Sequence, residues 1–308
     1  MMFRVTSNMM SSTLMNNINR NAKQMNDTQI QMSTGMKINK PSDDPVGITY
    51  ALRYRTELNS NEQYQSNVDS ALSWLDYTDT VVSQTNEVLQ RMRELTVKGS
   101  TGSNPQDALE SIRLEVNQLK EQLIDIGNSQ LNGKYILNGQ TYNEKPYDFP
   151  RDANGISDTS GMTSGMIDTG EVSYTVGSGI QMAINVNGNE VMGSSEETDN
   201  VFAIADRLSQ ALADGDLESV SAELEQIDTR VEKLLAAQAG VGAKTNRVEL
   251  MQNRLGDMEY NLTSLQAKTE DADYAELAIQ SQIQENIYNA TLSVGSKIIS
   301  SSLVDFLR

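Results

Sequence analysis

The chain has 308 residues, of which 38% are hydrophobic, and a formal net charge of −18. That length accommodates two or three domains, while the low hydrophobic share suits elongated helices, which expose more surface than a compact core does. The charge argues against a phosphate-neutralising nucleic-acid surface, and a sequence with no Cys and no His offers no disulfide, thiolate nucleophile, imidazole base or usual zinc ligand set.

From Leu14 the apolar residues fall at Leu14, Ile18, Ala22, Met25 and Met32, with Thr28 or Gln29 between them, which is helical spacing with a narrow apolar seam. The same stretch is rich in Asn: Asn8, Asn16, Asn17, Asn19, Asn21 and Asn26 each cost up to ~0.7 kcal/mol relative to Ala. A helix this poor in propensity is expected to be ordered by partners. It ends at a hinge, "MSTGMKINKPSDDPVG", in which Gly35 supplies a positive φ and Lys40-Pro41 favours extended backbone. Asp44 then caps a new helix whose first residue is Pro45.

Residues 46 to about 98 read as one long helix with Leu58, Val68, Leu72, Leu75, Val82, Leu89, Met92 and Leu95 on or beside one seam. A turn over Lys98–Ser103 leads to a second start at Asn104-Pro105, and the helix that follows carries Leu109, Ile112, Val116, Leu119, Leu123 and Ile126 before stopping at Gly127. The two should form an antiparallel hairpin. Beyond Gly127 the period changes to two at Tyr135 and Leu137, at Val172, Tyr174 and Val176, and at Ile180, Met182, Ile184 and Val186, which predicts strands. Gly177-Ser178-Gly179 and Asn187-Gly188 are turn signals, the latter a hairpin signal. The stretch from Asp152 to Gly170, rich in Gly, Ser, Thr and Asp, is expected to be irregular or mobile.

Helix resumes near Asp199, breaks at Asp214-Gly215-Asp216, and continues with Leu217, Val220, Leu224, Ile227, Val231, Leu234, Val241, Val248, Met251, Leu255, Met258, Leu262 and Leu265. This is a coiled-coil seam with one slip in phase, and Gly240 and Gly242 adjust its winding without splitting it. After the acidic cluster Glu270, Asp271 and Asp273, a last helix carries Ile279, Ile283, Ile287, Ala290, Val294 and Ile298. Residues 1–40 have a net charge of +4 and residues 266–308 one of −3. The two ends should therefore pair with each other or with their counterparts in neighbouring subunits.

The expected fold is mainly α: a long antiparallel helical bundle or coiled coil built from N- and C-terminal arms, with a small β-rich domain inserted. Its divisions are a terminal helix and hinge (1–44), a helical hairpin (45–131), the β-rich insert (132–198), returning long helices (199–265) and a C-terminal helix (266–308). No apolar run approaches the ~20 residues that cross a bilayer, so no membrane insertion is expected, and the N-terminus lacks the basic-then-apolar pattern of a cleaved signal.

Several residues could be mistaken for chemistry. Asp43 and Asp44 resemble an acid or metal pair but fit a helix start, Asp44 capping and Asp43 favoured by the helix dipole. Asp152, Asn154 and Asp158 suggest a calcium loop, but Thr163 stands where its last Glu belongs. Gly177 and Gly179 lack the third glycine of a dinucleotide fingerprint. No enzyme motif, cofactor site or metal site is expected.

The terminal pair, the hinge "STGMKINKPSDDPVG" and the helix-sheet-helix order resemble the flagellin superfamily of bacterial flagellar axial proteins. Within it, "KPSDDP", "NGKYILNGQ" leading to Pro146-Tyr147, "VGAKTNRVE" and "DADYAE" are similar to the hook-associated protein 3 family of hook-filament junction proteins. The resemblance implies a non-enzymatic structural component that crosses the envelope unfolded through the flagellar type III export apparatus, without a cleaved signal, and works outside the cell. It implies as partners copies of itself in a ring, hook-associated protein 1, flagellin and an export chaperone. Leu14, Ile18, Ala22, Met25, Met32, Ile279, Ile283, Ile287, Ala290, Val294 and Ile298 are then the expected subunit-interface residues, with Gly35, Pro41, Asp44 and Pro45 as the hinge. Two alternatives are a short flagellin and an adhesion or binding module displayed on the insert.

Overall fold

The computed structural model describes residues 7–306 apart from 103, 153, 154, 164 and 165, and describes side chains from Met9 to Ser296. In chain order the elements are α1 (Ser7–Thr34), α2 (Pro45–Gly99), α3 (Gln106–Gly127), β1 (Gln130–Leu131), β2 (Lys134–Tyr135), β3 (Ser173–Gly177), β4 (Ile180–Ala183), α4 (Gly188–Met192), α5 (Val201–Asp214), α6 (Leu217–Glu270) and α7 (Tyr274–Phe306). The fold is mainly α with a small β content, as expected. Residues 1–60 with 258–308 form one compact unit and residues 61–257 another.

In the second unit, α6 buries Val220, Ile227, Leu234, Val241, Val248 and Leu255, and α2 buries Val68, Leu75, Val82 and Leu89. Both sets recur every seven residues, the spacing that keeps one seam facing its partner along a supercoil. The phase slip expected in α6 is therefore absent. Gln238 and Thr245 occupy positions beside the seam that apolar residues fill in the first turns, so the sequence pattern changes flank while the buried column does not. Gln238 instead donates to Asp79 Oδ1 of α2 at 3.1 Å. α6 continues as one helix through Gly240 and Gly242, as expected.

Thr78 and Thr85 are fully buried in α2, and their hydroxyls donate at 2.8 Å to the carbonyls of Trp74 and Val81. These polar positions thus enter the core without an unmet hydrogen bond. Arg91 and Glu115, 2.6 Å apart, tie α2 to α3, and α3 packs directly along α5. Asn104 does not cap α3. Pro105 is the cap residue, with extended backbone, while the Asn104 amide donates back to the Lys98 carbonyl and closes the preceding turn. At Gly127, the last residue of α3, only glycine fits, since a Cβ there would lie 2.6 Å from the Tyr147 ring.

Two antiparallel two-stranded sheets follow, β1 with β2 and β3 with β4. The predicted strand at Tyr135 ends before Leu137, which is buried with Ile136 and Tyr147 in the helical core. The Gly177–Gly179 turn joins β3 to β4, with a register shift between Thr175 and Gly177. Asn187-Gly188 is not a hairpin. Asn187 accepts from the Asn189 amide and caps α4, and Gly188 is needed because a Cβ would lie 2.8 Å from both the Leu137 carbonyl oxygen and the Tyr147 hydroxyl. Among its described residues the stretch from Asp152 to Gly170 is largely irregular, as expected, apart from a 3-10 turn at Thr159–Gly161, and Ser157 within it is held in place. Lys120 Nζ donates to the Ser157 carbonyl and to Asp206, and Glu121 accepts from the Ser157 amide and hydroxyl.

Candidate functional site

The hinge and both terminal helices lie in the first unit. α1 ends where Gly35 takes φ +73°, as expected, and a Cβ there would lie 3.0 Å from the Tyr274 hydroxyl. The chain then makes a short antiparallel bridge with the joint between α6 and α7: the Lys37 amide donates to the Glu270 carbonyl at 2.7 Å, and the Ala272 amide to the Gly35 carbonyl at 2.9 Å. Lys37 Nζ adds a bond to the Lys268 carbonyl. Arg55 of α2 pairs with the buried carboxylate of Glu270 and approaches Met36 Sδ at 3.8 Å.

Pro41 occupies the second position of a turn closed by the Asp43 amide on the Lys40 carbonyl, a position that suits its fixed φ. Asp44 accepts from the Val46 and Gly47 amides and caps α2 at Pro45, as expected. Asp43 does not serve the helix. It accepts from the Lys40 and Asn39 amides, which hold its carboxyl below the usual range. Across the joint, Asp273 caps α7 in the same way, accepting from Ala275 and Glu276.

α1 packs along α7. Leu14 is buried, and a Cβ on Gly295 would come within 2.9 Å of it. Asn21 donates to the Thr291 hydroxyl at 3.1 Å. Ile18, Ala22, Met25 and Met32 are half-buried on the same side of α1, so the predicted N-terminal seam faces α7. The predicted C-terminal seam does the opposite. Among the described side chains of α7, Leu277 and Gly295 are the buried residues, with Ser281, Gln284, Tyr288 and Thr291 half-buried between them. Ile279, Ile283, Ile287 and Val294 are left 47% to 62% exposed, and Ala290 is exposed with them. The side chain of Ile298 lies outside the described residues. The opposite charges of the two arms form no ion pair between α1 and α7 among the described residues.

Sequence reasoning missed that the hinge has a fixed counterpart, Glu270 to Tyr274, and that Arg55 holds it. The signals were present: the "DADYAE" motif, and a Glu at the end of a long apolar seam. It also missed the second unit's cluster of charges. There Arg230, 1% exposed, lies 2.7 Å from Glu197 and 2.8 Å from Asp199, and Lys233 bridges the same two carboxylates. Burial opposes ionisation of Glu197, but hydrogen bonds from Arg230, Lys233 and the Ser194 amide outweigh it and bring its carboxyl down to about 2. Glu197, Arg230 and Lys233 border a cleft of about 560 Å³ that also includes Lys244, whose Nζ donates to the Asn185 carbonyl. Arg230 and Lys233 thus hold the chain between α4 and α5 to α6, and Lys244 holds the chain just before α4. Of the suspected calcium loop, Asp152 accepts from the Ile156 amide and Asp158 caps a 3-10 turn at Thr159. Asn154 lies outside the described residues.

The family profile "Bacterial flagellin N-terminal helical region" matches residues 5–141. A flagellin of Bacillus subtilis is 24% identical over 286 residues, covering 88% of each chain. Flagellins of Escherichia coli and Proteus mirabilis align over 43% and 44% of this chain, which spans 24% and 38% of their length. Among solved structures, a putative flagellar hook-associated protein from Vibrio parahaemolyticus superposes with a TM-score of 0.64 at 21% identity, covering 74% of this chain and all of that one. The flagellar junction protein FlgL from Legionella pneumophila gives 0.56 at 14% identity, covering 72% and 100%. The resemblance to the flagellin superfamily thus has a sequence match in the N-terminal part, and the chain shares its fold with hook-associated and junction proteins.

Proposed function

We propose that this chain is a structural component of the bacterial flagellum that joins the hook to the flagellin filament, assembling through the terminal segments 1–44 and 266–308. The observation that carries this reading is the outward apolar face of α7. Ile279, Ile283, Ile287 and Val294 form a continuous stripe on a helix that already has an intramolecular partner, and a stripe of that kind marks a contact surface. Each of these side chains still has about half its area to bury, on the order of 1 kcal/mol apiece. In this reading the partners are copies of the chain arranged in a ring, hook-associated protein 1 on one side and flagellin on the other, and an export chaperone with the type III export apparatus before assembly. The hinge at Gly35, Pro41, Asp44 and Pro45 sets how α1 leaves α2, and no catalysis is involved.

A short flagellin is the second reading, favoured by the alignment along 88% of the Bacillus subtilis protein. Purified chain that adds only to hook ends supports the junction role, whereas growth into long filaments supports the flagellin. The test in the cell is deletion of the gene: hooks without filaments, with flagellin lost to the medium, are expected. Normal filaments in the deletion strain would contradict the junction role.

A further inference from the structure

Four Asn-Gly pairs stand in the chain, beginning at Asn132, Asn138, Asn154 and Asn187. Such a pair is chemically labile, because glycine has no side chain to hinder its amide nitrogen from closing on the asparagine side-chain carbonyl. Ring closure needs a side-chain amide free to turn, a backbone free to bring the two atoms together, and water close by. The three pairs whose asparagine is described differ on each count.

Asn138 is 3% exposed. Its Nδ2 donates to the Thr141 and Glu144 carbonyls at 3.1 and 3.0 Å, and its Oδ1 accepts from the Asp168 amide at 3.0 Å, while Gly139 is packed against the Asp168 carbonyl. Asn187 Oδ1 accepts from the Asn189 amide at 3.0 Å, and the Gly188 amide, which would have to attack, is itself donated to the Leu137 carbonyl at 3.0 Å. Asn132 is exposed at the tip of the β1–β2 hairpin, which has two facing residue pairs, Gln130 with Tyr135 and Leu131 with Lys134. Among the described residues no hydrogen bond holds its side chain. A Cβ on Gly133 would meet nothing within 4 Å, and Asn132 sits at φ +53°, a region that a residue with a Cβ leaves readily.

We infer that Asn132-Gly133 is a site of spontaneous covalent modification and that the change opens the β1–β2 hairpin. The Gly133 amide nitrogen loses its proton and attacks Cγ of Asn132. The N–Cγ bond forms, the Cγ–Nδ2 bond breaks, and ammonia leaves with the proton, which gives a cyclic imide. Water then opens the ring at one of its two carbonyls, yielding an ordinary aspartate or one linked to Gly133 through its side chain. Nothing is oxidised or reduced; one water enters and one ammonia departs. The side-chain-linked product adds an atom to the backbone of a turn that depends on positive φ at both of its residues, so the Leu131–Lys134 pairing is lost. Leu131, Asn132 and Lys134 border a cleft of about 350 Å³ together with Trp74 of α2. Trp74 is the only tryptophan of the chain, so its emission reports the opening.

The test ages the full-length protein in mildly alkaline buffer, folded and in parallel in concentrated guanidinium chloride, and follows each pair by peptide mass spectrometry. In denaturant the three pairs should react alike. In the folded chain Asn132 should exceed Asn138 and Asn187 at least about tenfold, the factor that a local opening free energy of about 1.4 kcal/mol imposes on the other two. Trp74 emission should move to longer wavelength in step with the side-chain-linked fraction. It should stay fixed in aged Asn132→Gly protein, whose Gly-Gly turn suits the hairpin and cannot form the imide. Asn132 as slow as the other two in the folded chain, or all three as fast there as in denaturant, would overturn the inference. A shift in aged Asn132→Gly protein, or none in the modified chain, would overturn the hairpin opening.

Discussion

Replacing Arg230 with Met would leave two carboxylates, the buried Asp199 and the partly covered Glu197, sharing the one cation Lys233. Removing one partner from a buried ion cluster costs about 3–5 kcal/mol, and urea unfolding of the second unit should register it. The same cluster makes a pH prediction. Glu197 titrates at about 2 in the folded chain against 4.5 ordinarily, so its contribution is complete above 4.5 and is lost as the pH falls through about 2. Glu197→Gln should flatten the stability profile in that window and change its slope little above it. Gly127→Ala is a steric test, since the added Cβ would lie 2.6 Å from the Tyr147 ring. It should lower the stability of the second unit by about 1–3 kcal/mol, although alanine is the better helix former. In the first unit, Arg55→Ala strands the buried Glu270 carboxylate, at about 1–3 kcal/mol.

At the scale of whole elements, α7 separates stability from function. Ile283→Ser with Ile287→Ser alters exposed positions, so monomer stability should move by less than about 1 kcal/mol, while addition to hooks should be abolished. A loss of helical content in the double variant would show that the stripe serves the monomer instead. The helices themselves were readable because their seams recur at fixed intervals and because Pro45, Gly127 and Gly215 sit at their ends. Which side of α7 meets α1 was not readable. Apolar periodicity identifies a face but not its neighbour, and here the intramolecular contact uses Leu277, Gly295 and polar residues between them. The Asn-Gly pairs show the same limit. Asn132-Gly133, both with positive φ, turns the β1–β2 hairpin, as such a pair favours. Asn187-Gly188 has the same letters but starts α4, because Gly188 must fit under the Leu137 carbonyl and the Tyr147 hydroxyl. That requirement comes from residues some fifty and forty positions away in the chain. The hinge, by contrast, was readable almost residue by residue, since Gly35, Asp44 and Pro45 act through local backbone geometry. Its anchoring to Glu270 and Ala272 was not, being a contact across more than two hundred residues.

For the molecule as a whole, the central claim is that the terminal helices are completed by other subunits. α1 carries an Asn-rich sequence of low propensity whose seam is mostly half-buried against α7, and α7 shows its most apolar side to solvent, so within a lone chain the pair is left short of the burial that most helices in proteins rely on. Amide hydrogen exchange followed in dilute monomer and again in protein assembled on hooks measures this directly. Exchange before Pro41 and after Thr269 should be rapid in the monomer and slow markedly on assembly, with residues 61–257 protected in both. Strong protection of both terminal helices in the dilute monomer, or no change in them on assembly, would contradict the account.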